Sequence, residues 1–135
     1  MRFWTLGVWN LDSGTCLRTQ EGHSGPVMSV SVTPDGGRAM SSGWWGDSTL
    51  RVWDPESGAC VGVLEGHRKA VPSVSMTADG TRAISSGENG DRILRVWDLE
   101  NCVCLRGLEG HRSSVRSVAV TPDGRRAVSG GRLAR

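Results

Sequence analysis

The chain has 135 residues, and its 16 basic and 14 acidic residues leave a formal net charge of only +2. These charges are spread along the whole length, so the composition does not support a nucleic-acid site. No run of about 18 apolar residues is available for a membrane-spanning helix, and the N-terminal "MRFWTLGVWN" lacks the layout of a signal peptide. We therefore expect a cytoplasmic protein that makes no contact with membranes.

Short runs of alternating or β-branched apolar residues, broken by Pro and Gly turns, predict strands throughout the chain. Residues 1–20 match the second half of the later repeats, with Trp9 in the place of Trp53, and predict a third and a fourth strand. Residues 21–64 predict a complete four-stranded antiparallel sheet, and its strands are expected at 27–33, 38–42, 49–53 and 59–64.

Residues 65–108 repeat the same pattern and predict a second complete sheet. Pro72 falls within the first strand of this sheet, which we call the innermost strand. This strand lies at the edge of the sheet, so the missing N–H of proline is tolerable there. Residues 109–135 then add a first strand at 115–121 and a second at 126–130. The prediction is therefore twelve strands, which equals three four-stranded units with one of them divided between the two termini.

A repeat of 44 residues underlies this pattern, since Gly-His pairs end at His23, His67 and His111 and "LRVWD" begins at Leu50 and Leu94. A period in the low forties with Gly-His and Trp-Asp pairs is typical of a four-stranded propeller blade. Over essentially its whole length the chain resembles the WD-repeat β-propeller family. The resemblance implies an all-β fold made of propeller blades, and a role as a scaffold that binds another protein or a peptide.

Three blades cannot close a ring, because propellers use roughly four to eight blades or more. We therefore expect residues 1–135 to form a single propeller segment that completes its ring by self-association. Two copies would give six blades and three copies would give nine. The alternative is that the chain is a fragment of a longer WD-repeat protein and has no independent function.

In WD-repeat proteins, a His before the innermost strand, a Ser on the second strand, an Asp in the next turn and a Trp on the third strand form a buried hydrogen-bonded tetrad. The resemblance implies that such structural tetrads are formed here by His23, Ser41, Asp47 and Trp53, by His67, Ser85, Asp91 and Trp97, and in the split blade by His111, Ser129 and Trp9. Phe3 stands where the split blade should have its Asp. Ser42 and Ser86 are alternative members, although alignment with Ser129 favours Ser41 and Ser85.

Ser, His and Asp together could also suggest the triad of a hydrolase. A triad is needed once, whereas this set recurs in each complete repeat, so a structural role is favoured and no catalytic residue is predicted. A hydrolase built on a propeller stays a less favoured alternative. No cofactor and no metal site are predicted, because the Gly-rich turns lack the phosphate-loop pattern and precede no helix.

A candidate interaction surface is predicted on the face that carries the Gly-His loops, and it comprises Trp44, Trp45, Arg68, Lys69 and Arg112. Exposed Trp rings supply much of the binding energy at protein interfaces. The alternative is that the two Trp rings pack on the neighbouring blade and that the basic side chains are merely solvated.

Three of the four cysteines, Cys16, Cys60 and Cys104, occupy the same position of successive repeats. Because repeat-equivalent residues lie in separate blades, these cysteines cannot pair with one another, and they are predicted to be small buried hydrophobic residues. Cys102 is expected to share a strand face with Cys104, which is a weak pattern for metal binding.

Overall fold

In the computed structural model, residues 4–43, 48–65, 67, 71–87, 93–110 and 115–131 are described. This part of the chain contains twelve strands and no helix. The strands are β1 (Trp4–Trp9), β2 (Cys16–His23), β3 (Val27–Val32), β4 (Ala39–Gly43), β5 (Leu50–Trp53), β6 (Cys60–Leu64), β7 (Val74–Met76), β8 (Arg82–Ser85), β9 (Leu94–Asp98), β10 (Val103–Leu108), β11 (Val115–Val120) and β12 (Ala127–Gly131).

The strands form four antiparallel sheets in which chain neighbours pair. The first full sheet has the order β3-β4-β5-β6, and the second full sheet has the order β10-β9-β8-β7. The N-terminal half-sheet consists of β1 and β2, and the C-terminal half-sheet consists of β11 and β12. The predicted all-β fold of propeller blades is thus confirmed, and the sheets of the described residues do not close into a ring.

Proline shortens the innermost strand of the second full sheet. The prediction placed Pro72 inside this strand, but β7 begins only at Val74. Pro72 has no N–H to donate to a sheet, so pairing toward β8 is limited there to the carbonyl of Ser73, which accepts the N–H of Ser86 at 3.0 Å. The prediction is corrected accordingly, while β7 does lie at the edge of its sheet.

The core is formed by sheet faces that pack on one another. Met40 and Val52 of the first full sheet cluster with Val74, Met76 and Ala83 of the second, and Met40 is completely buried. In the same way, Ile84 and Leu94 of the second full sheet cluster with Val115 and Val118 of the C-terminal half-sheet. The innermost strands β7 and β11 therefore bury their apolar faces against the sheet that precedes each of them in the chain.

Hydrogen bonds join the second full sheet to the first, and the C-terminal half-sheet to the second full sheet, along the innermost strands β7 and β11, and we call them the seam bonds. Between the first and second full sheets, Val71 N–H donates to Gly43 O at 3.0 Å, Val74 N–H to Ser29 Oγ at 3.4 Å and Met76 N–H to Ser31 Oγ at 3.3 Å. Between the second full sheet and the C-terminal half-sheet, Val115, Val118 and Val120 donate to Gly87 O, Ser73 Oγ and Ser75 Oγ, each at 3.2 Å. The serine hydroxyls thus give edge amides a partner.

The predicted burial of Cys16, Cys60 and Cys104 is wrong, because all three are exposed. Each lies on the outermost strand of its sheet beside a register irregularity, where its thiol donates to the carbonyl two residues later, for example Cys16 to Arg18 O at 3.4 Å. An outermost strand has no further strand to cover it, and this explains the exposure.

Cys102 does not share a strand face with Cys104. It lies in the turn before β10 with φ at +55°, at the position where the other repeats have Gly14 and Gly58, which also have positive φ. A residue that has a Cβ is strained in this region, whereas glycine is not.

Aspartates organise the turns between first and second strands. Asp79 accepts hydrogen bonds from the backbone N–H of Thr81 at 3.0 Å and from the Thr77 hydroxyl at 2.7 Å, and these bonds lower the pKa of Asp79 to about 2. In the matching turns, the N–H of Gly37 and the Thr33 hydroxyl lower the pKa of Asp35, and the Thr121 hydroxyl with the N–H of Arg125 lowers the pKa of Asp123.

These carboxylates predict a loss of stability in acid. Because their folded-state pKa values lie below the unfolded value of about 3.9, their contribution is complete above about pH 5 and is lost as the pH falls through about 4 toward 2. We expect these carboxylates to leave the thermal midpoint unchanged between about pH 7 and 5 and to lower it below about pH 4. The side chain in Asp79→Asn keeps an acceptor oxygen but does not titrate, so the thermal midpoint of this variant should fall less in acid than that of the unmodified chain. An equal fall in both proteins would contradict a role for Asp79.

Candidate functional site

A buried cluster of three side chains joins the N-terminal half-sheet to the first full sheet. The indole N–H of Trp53, on β5, donates to Ser41 Oγ on β4 at 2.8 Å. His23, the last residue of β2, places its Nε2 2.5 Å from the same oxygen. Ser41 is fully buried, and Trp53 and His23 are 1% and 6% exposed.

The same cluster recurs one repeat later. Trp97 donates to Ser85 Oγ at 2.8 Å, and Nε2 of His67 lies 2.5 Å from that oxygen. Since an indole N–H can only donate, the serine oxygen accepts a hydrogen bond from the Trp in both clusters.

The alternative serines take no part in these clusters. Ser42 Oγ is buried and has no hydrogen-bond partner among the described residues. Ser86 Oγ donates to the carbonyl of Ser73 at 3.4 Å instead. The remaining tetrad positions, Asp47, Asp91 and His111, lie outside the described residues, as does Phe3.

The two described members of the third set, Ser129 and Trp9, lie in different sheets. Ser129 lies on β12 of the C-terminal half-sheet, whereas Trp9 lies on β1 of the N-terminal half-sheet. Trp9 is 59% exposed, and its indole covers Gly7, where any Cβ would come within 2.7 Å of Nε1. Trp9 therefore occupies a place quite unlike those of Trp53 and Trp97.

The serines at the centre of the two clusters are closed off from solvent. A serine nucleophile must contact its substrate, but Ser41 and Ser85 have no exposed surface. Among the described residues no group of three or more His, Cys, Asp or Glu side chains could hold a metal ion.

All five residues of the candidate interaction surface, Trp44, Trp45, Arg68, Lys69 and Arg112, lie outside the described residues.

Removing one serine hydroxyl should lower stability. In the Ser85→Ala variant, the buried indole N–H of Trp97 and the Nε2 of His67 lose their shared partner, so we expect the free energy of unfolding to fall by about 1–3 kcal/mol. Urea denaturation measures this loss. Ser57→Ala is the control, because Ser57 is exposed and its hydroxyl bonds only within its own turn, to the N–H of Ala59 and to the Asp54 carboxylate. An unchanged midpoint for Ser85→Ala would contradict a stabilising role.

Sequence reasoning missed the seam serines, Ser29, Ser31, Ser73 and Ser75. Their signal was present, because Ser29 and Ser31 recur 44 residues later as Ser73 and Ser75. These serines alternate with apolar residues on the predicted strands, and the sequence analysis assigned them no role. Which neighbour their hydroxyls meet depends on the packing of adjacent sheets, which a single strand does not reveal.

Repeated four-stranded antiparallel sheets, each holding a buried Trp-Ser-His cluster, define a β-propeller repeat protein. The family profile "WD domain, G-beta repeat" matches residues 14–54, 58–98 and 102–132, and the chain belongs to this WD40 family. Each full match covers the outermost strand of one sheet and three strands of the next. Such proteins are generally non-enzymatic scaffolds for protein interaction.

A comparison with curated proteins finds no match to this chain. Among the described residues, no helix is long and apolar enough to cross a membrane.

Proposed function

We propose that the chain is a protein-interaction scaffold whose WD-repeat blades complete a ring by association with further copies of the same chain. The observation that carries this proposal is a contrast between equivalent residues. Trp9, which is 59% exposed, corresponds to Trp53 and Trp97, which are 1% and 0% exposed. Two copies would supply six blades and three copies nine.

The same contrast appears at both ends of the segment. Val30 is 62% exposed, whereas its equivalents Val74 and Val118 are 5% and 7% exposed. Val128 is 68% exposed, whereas its equivalents Met40 and Ile84 are 0% and 3% exposed. Positions that are buried in the internal repeats are therefore exposed on β3 and on the C-terminal half-sheet, which supports a partner that covers them.

Concentration dependence tests self-association. If the ring is made of several chains, association stabilises the folded state by mass action, so the thermal midpoint should rise with chain concentration. A midpoint that stays constant over a 100-fold range would contradict self-association. It would favour the alternative that flanking repeats of a longer WD-repeat protein cover these faces.

The proposal excludes hydrolysis as the function and takes the bound partner to be a protein or peptide. It also places the chain in the cytoplasm. The supporting observation is that all four cysteines are free, three of them exposed, which suits a reducing compartment. Nothing in the nearly neutral charge balance favours nucleic acid as the partner.

The docking site within this proposal is the candidate interaction surface, in which Trp44 and Trp45 are the anchors. If both rings are exposed, the double variant Trp44→Ser, Trp45→Ser should change the free energy of unfolding by no more than about 0.5 kcal/mol. It should also remove the part of the Trp fluorescence that acrylamide quenches most readily. A loss of about 3 kcal/mol or more would instead show that the rings pack on a neighbouring blade.

A further inference from the structure

We propose that the C-terminal half-sheet of one copy inserts into the cleft between β1 and β3 of another copy, with β12 paired to β1 and β11 seated against β3. This inference rests on the proposed self-association and specifies its register. At each junction between copies, one blade would then be built from two chains, and its Trp-Ser pair would form only across that junction.

The cleft is a cavity of about 560 Å³ between the N-terminal half-sheet and the first full sheet. Its lining is mainly apolar and includes Leu6, Val8, Trp9, Val27, Val30 and Val32. Of these, Trp9, Val30 and Val32 are each about 60% exposed. Such a groove needs an apolar occupant that can also pair with the edge of β1.

The internal repeats show what fills the equivalent space. The strands β5 and β7 correspond to β1 and β3, and β4 lies at that place, paired to β5. Its Met40 clusters there with Val74 and Met76 of β7. Two repeats later, the residue at the position of Met40 is Val128 of β12, which is 68% exposed. The chain therefore carries, on its own C-terminal half-sheet, the side chain that the cleft lacks.

The register follows from the internal pairing. Met40 pairs with Val52, and Ala39 pairs with Trp53; in the second full sheet, Ile84 pairs with Val96 and Ala83 with Trp97. The repeat-equivalent residues at the junction are Val8 and Trp9 on β1 and Val128 and Ala127 on β12. The same register therefore places Val128 opposite Val8, and Ala127 opposite Trp9.

In this register, Ser129 stands opposite Gly7. Ser41 and Ser85 at the equivalent position accept the indole N–H of Trp53 and Trp97. Ser129 of one copy can accept the indole N–H of Trp9 of the other copy in the same way, once the Trp9 ring leaves its place over Gly7. The third Trp-Ser pair would then be made between chains.

The seam bonds extend across the same junction. The amides that match Val71 and Val74 are those of Val27 and Val30 on β3, and their acceptors in the second copy would be Gly131 O and Ser117 Oγ. The third acceptor is missing, because Ala119 replaces the serine that stands at positions 31 and 75. The junction therefore keeps two of the three seam bonds.

Disulfide trapping between two single-cysteine variants tests this register. In a background of Cys16→Ser, Cys60→Ser, Cys102→Gly and Cys104→Ser, one protein carries Val8→Cys and the other carries Val128→Cys. Directly opposed residues of antiparallel strands have Cα atoms about 4.5–5.5 Å apart, which suits a disulfide. We expect oxidation of the mixture to give a disulfide-linked dimer, whereas neither protein forms one alone. Ala127→Cys replaces Val128→Cys in the control and should give none, since its side chain lies on the other sheet face.

Light scattering on the same mixtures separates two kinds of failure. An oligomer without the Val8–Val128 disulfide would overturn this register while leaving self-association intact, and the absence of any oligomer would overturn both proposals. Amide hydrogen exchange on the unmodified chain provides a second measurement. The amides of Val27 and Val30 should become protected as chain concentration rises, and unchanged exchange at these two positions would overturn the insertion.

Discussion

In the Trp9→Ala variant we expect the free energy of unfolding to fall by about 3–5 kcal/mol, the usual cost of removing a core Trp. This is a large effect for a side chain that is 59% exposed in a single chain. It is expected because the ring of Trp9 becomes buried, and its indole N–H finds Ser129, only when a second copy completes the blade. Denaturant unfolding at one fixed chain concentration measures it.

The matched comparison is Trp97→Ala, which removes the equivalent ring from a complete sheet, where it is fully buried. We expect the two variants to lose similar amounts of stability. If Trp97→Ala costs several kcal/mol and Trp9→Ala less than about 0.5 kcal/mol, then Trp9 stays at the surface and the intermolecular blade does not form.

The second large effect is expected from a charge placed in the cleft. Val30→Asp would bury an unpaired carboxylate at the junction between copies, at a cost of about 3 kcal/mol or more. Self-association should therefore weaken by a factor of more than about 100. Light scattering across a dilution series measures the change.

Val103→Asp is the control for this variant. Val103 is 49% exposed on β10, an outermost strand away from the cleft, and the equivalent positions carry Thr15 and Ala59. Its association should match that of the unmodified chain. If both aspartates weaken association equally, the effect is one of general charge and not of the cleft.

The strands and their order could be predicted from the sequence, because the alternation of apolar and polar residues and the turn residues are local features. Both recur in each of the three repeats. Strand bounds and side-chain burial were predicted less accurately, because they depend on neighbouring residues and neighbouring strands. Pro72 shortens β7 to three residues. Cys16, Cys60 and Cys104 were taken as buried because cysteine usually is, but they lie on outermost strands that no further strand covers.

The candidate site was accessible to sequence reasoning to different degrees. The structure places His23, Ser41 and Trp53 in hydrogen-bond contact, and the family resemblance had grouped these residues together. The seam serines could not be assigned in this way, because their partners lie on the next sheet. The separation of Trp9 from Ser129 likewise could not be predicted, because it depends on which strands pair with the free edges of the two half-sheets. The sequence of one chain does not specify those strands.

The central claim is that several copies of this chain close one ring, and the mass of the assembly in solution tests it most directly. Size-exclusion chromatography with light scattering should give a single species of two chains, for six blades, or of three chains, for nine. A well-folded, monodisperse single chain with a cooperative unfolding transition would contradict the claim, because the cleft and the apolar residues around Trp9, Val30 and Val128 would then be stable while exposed to water.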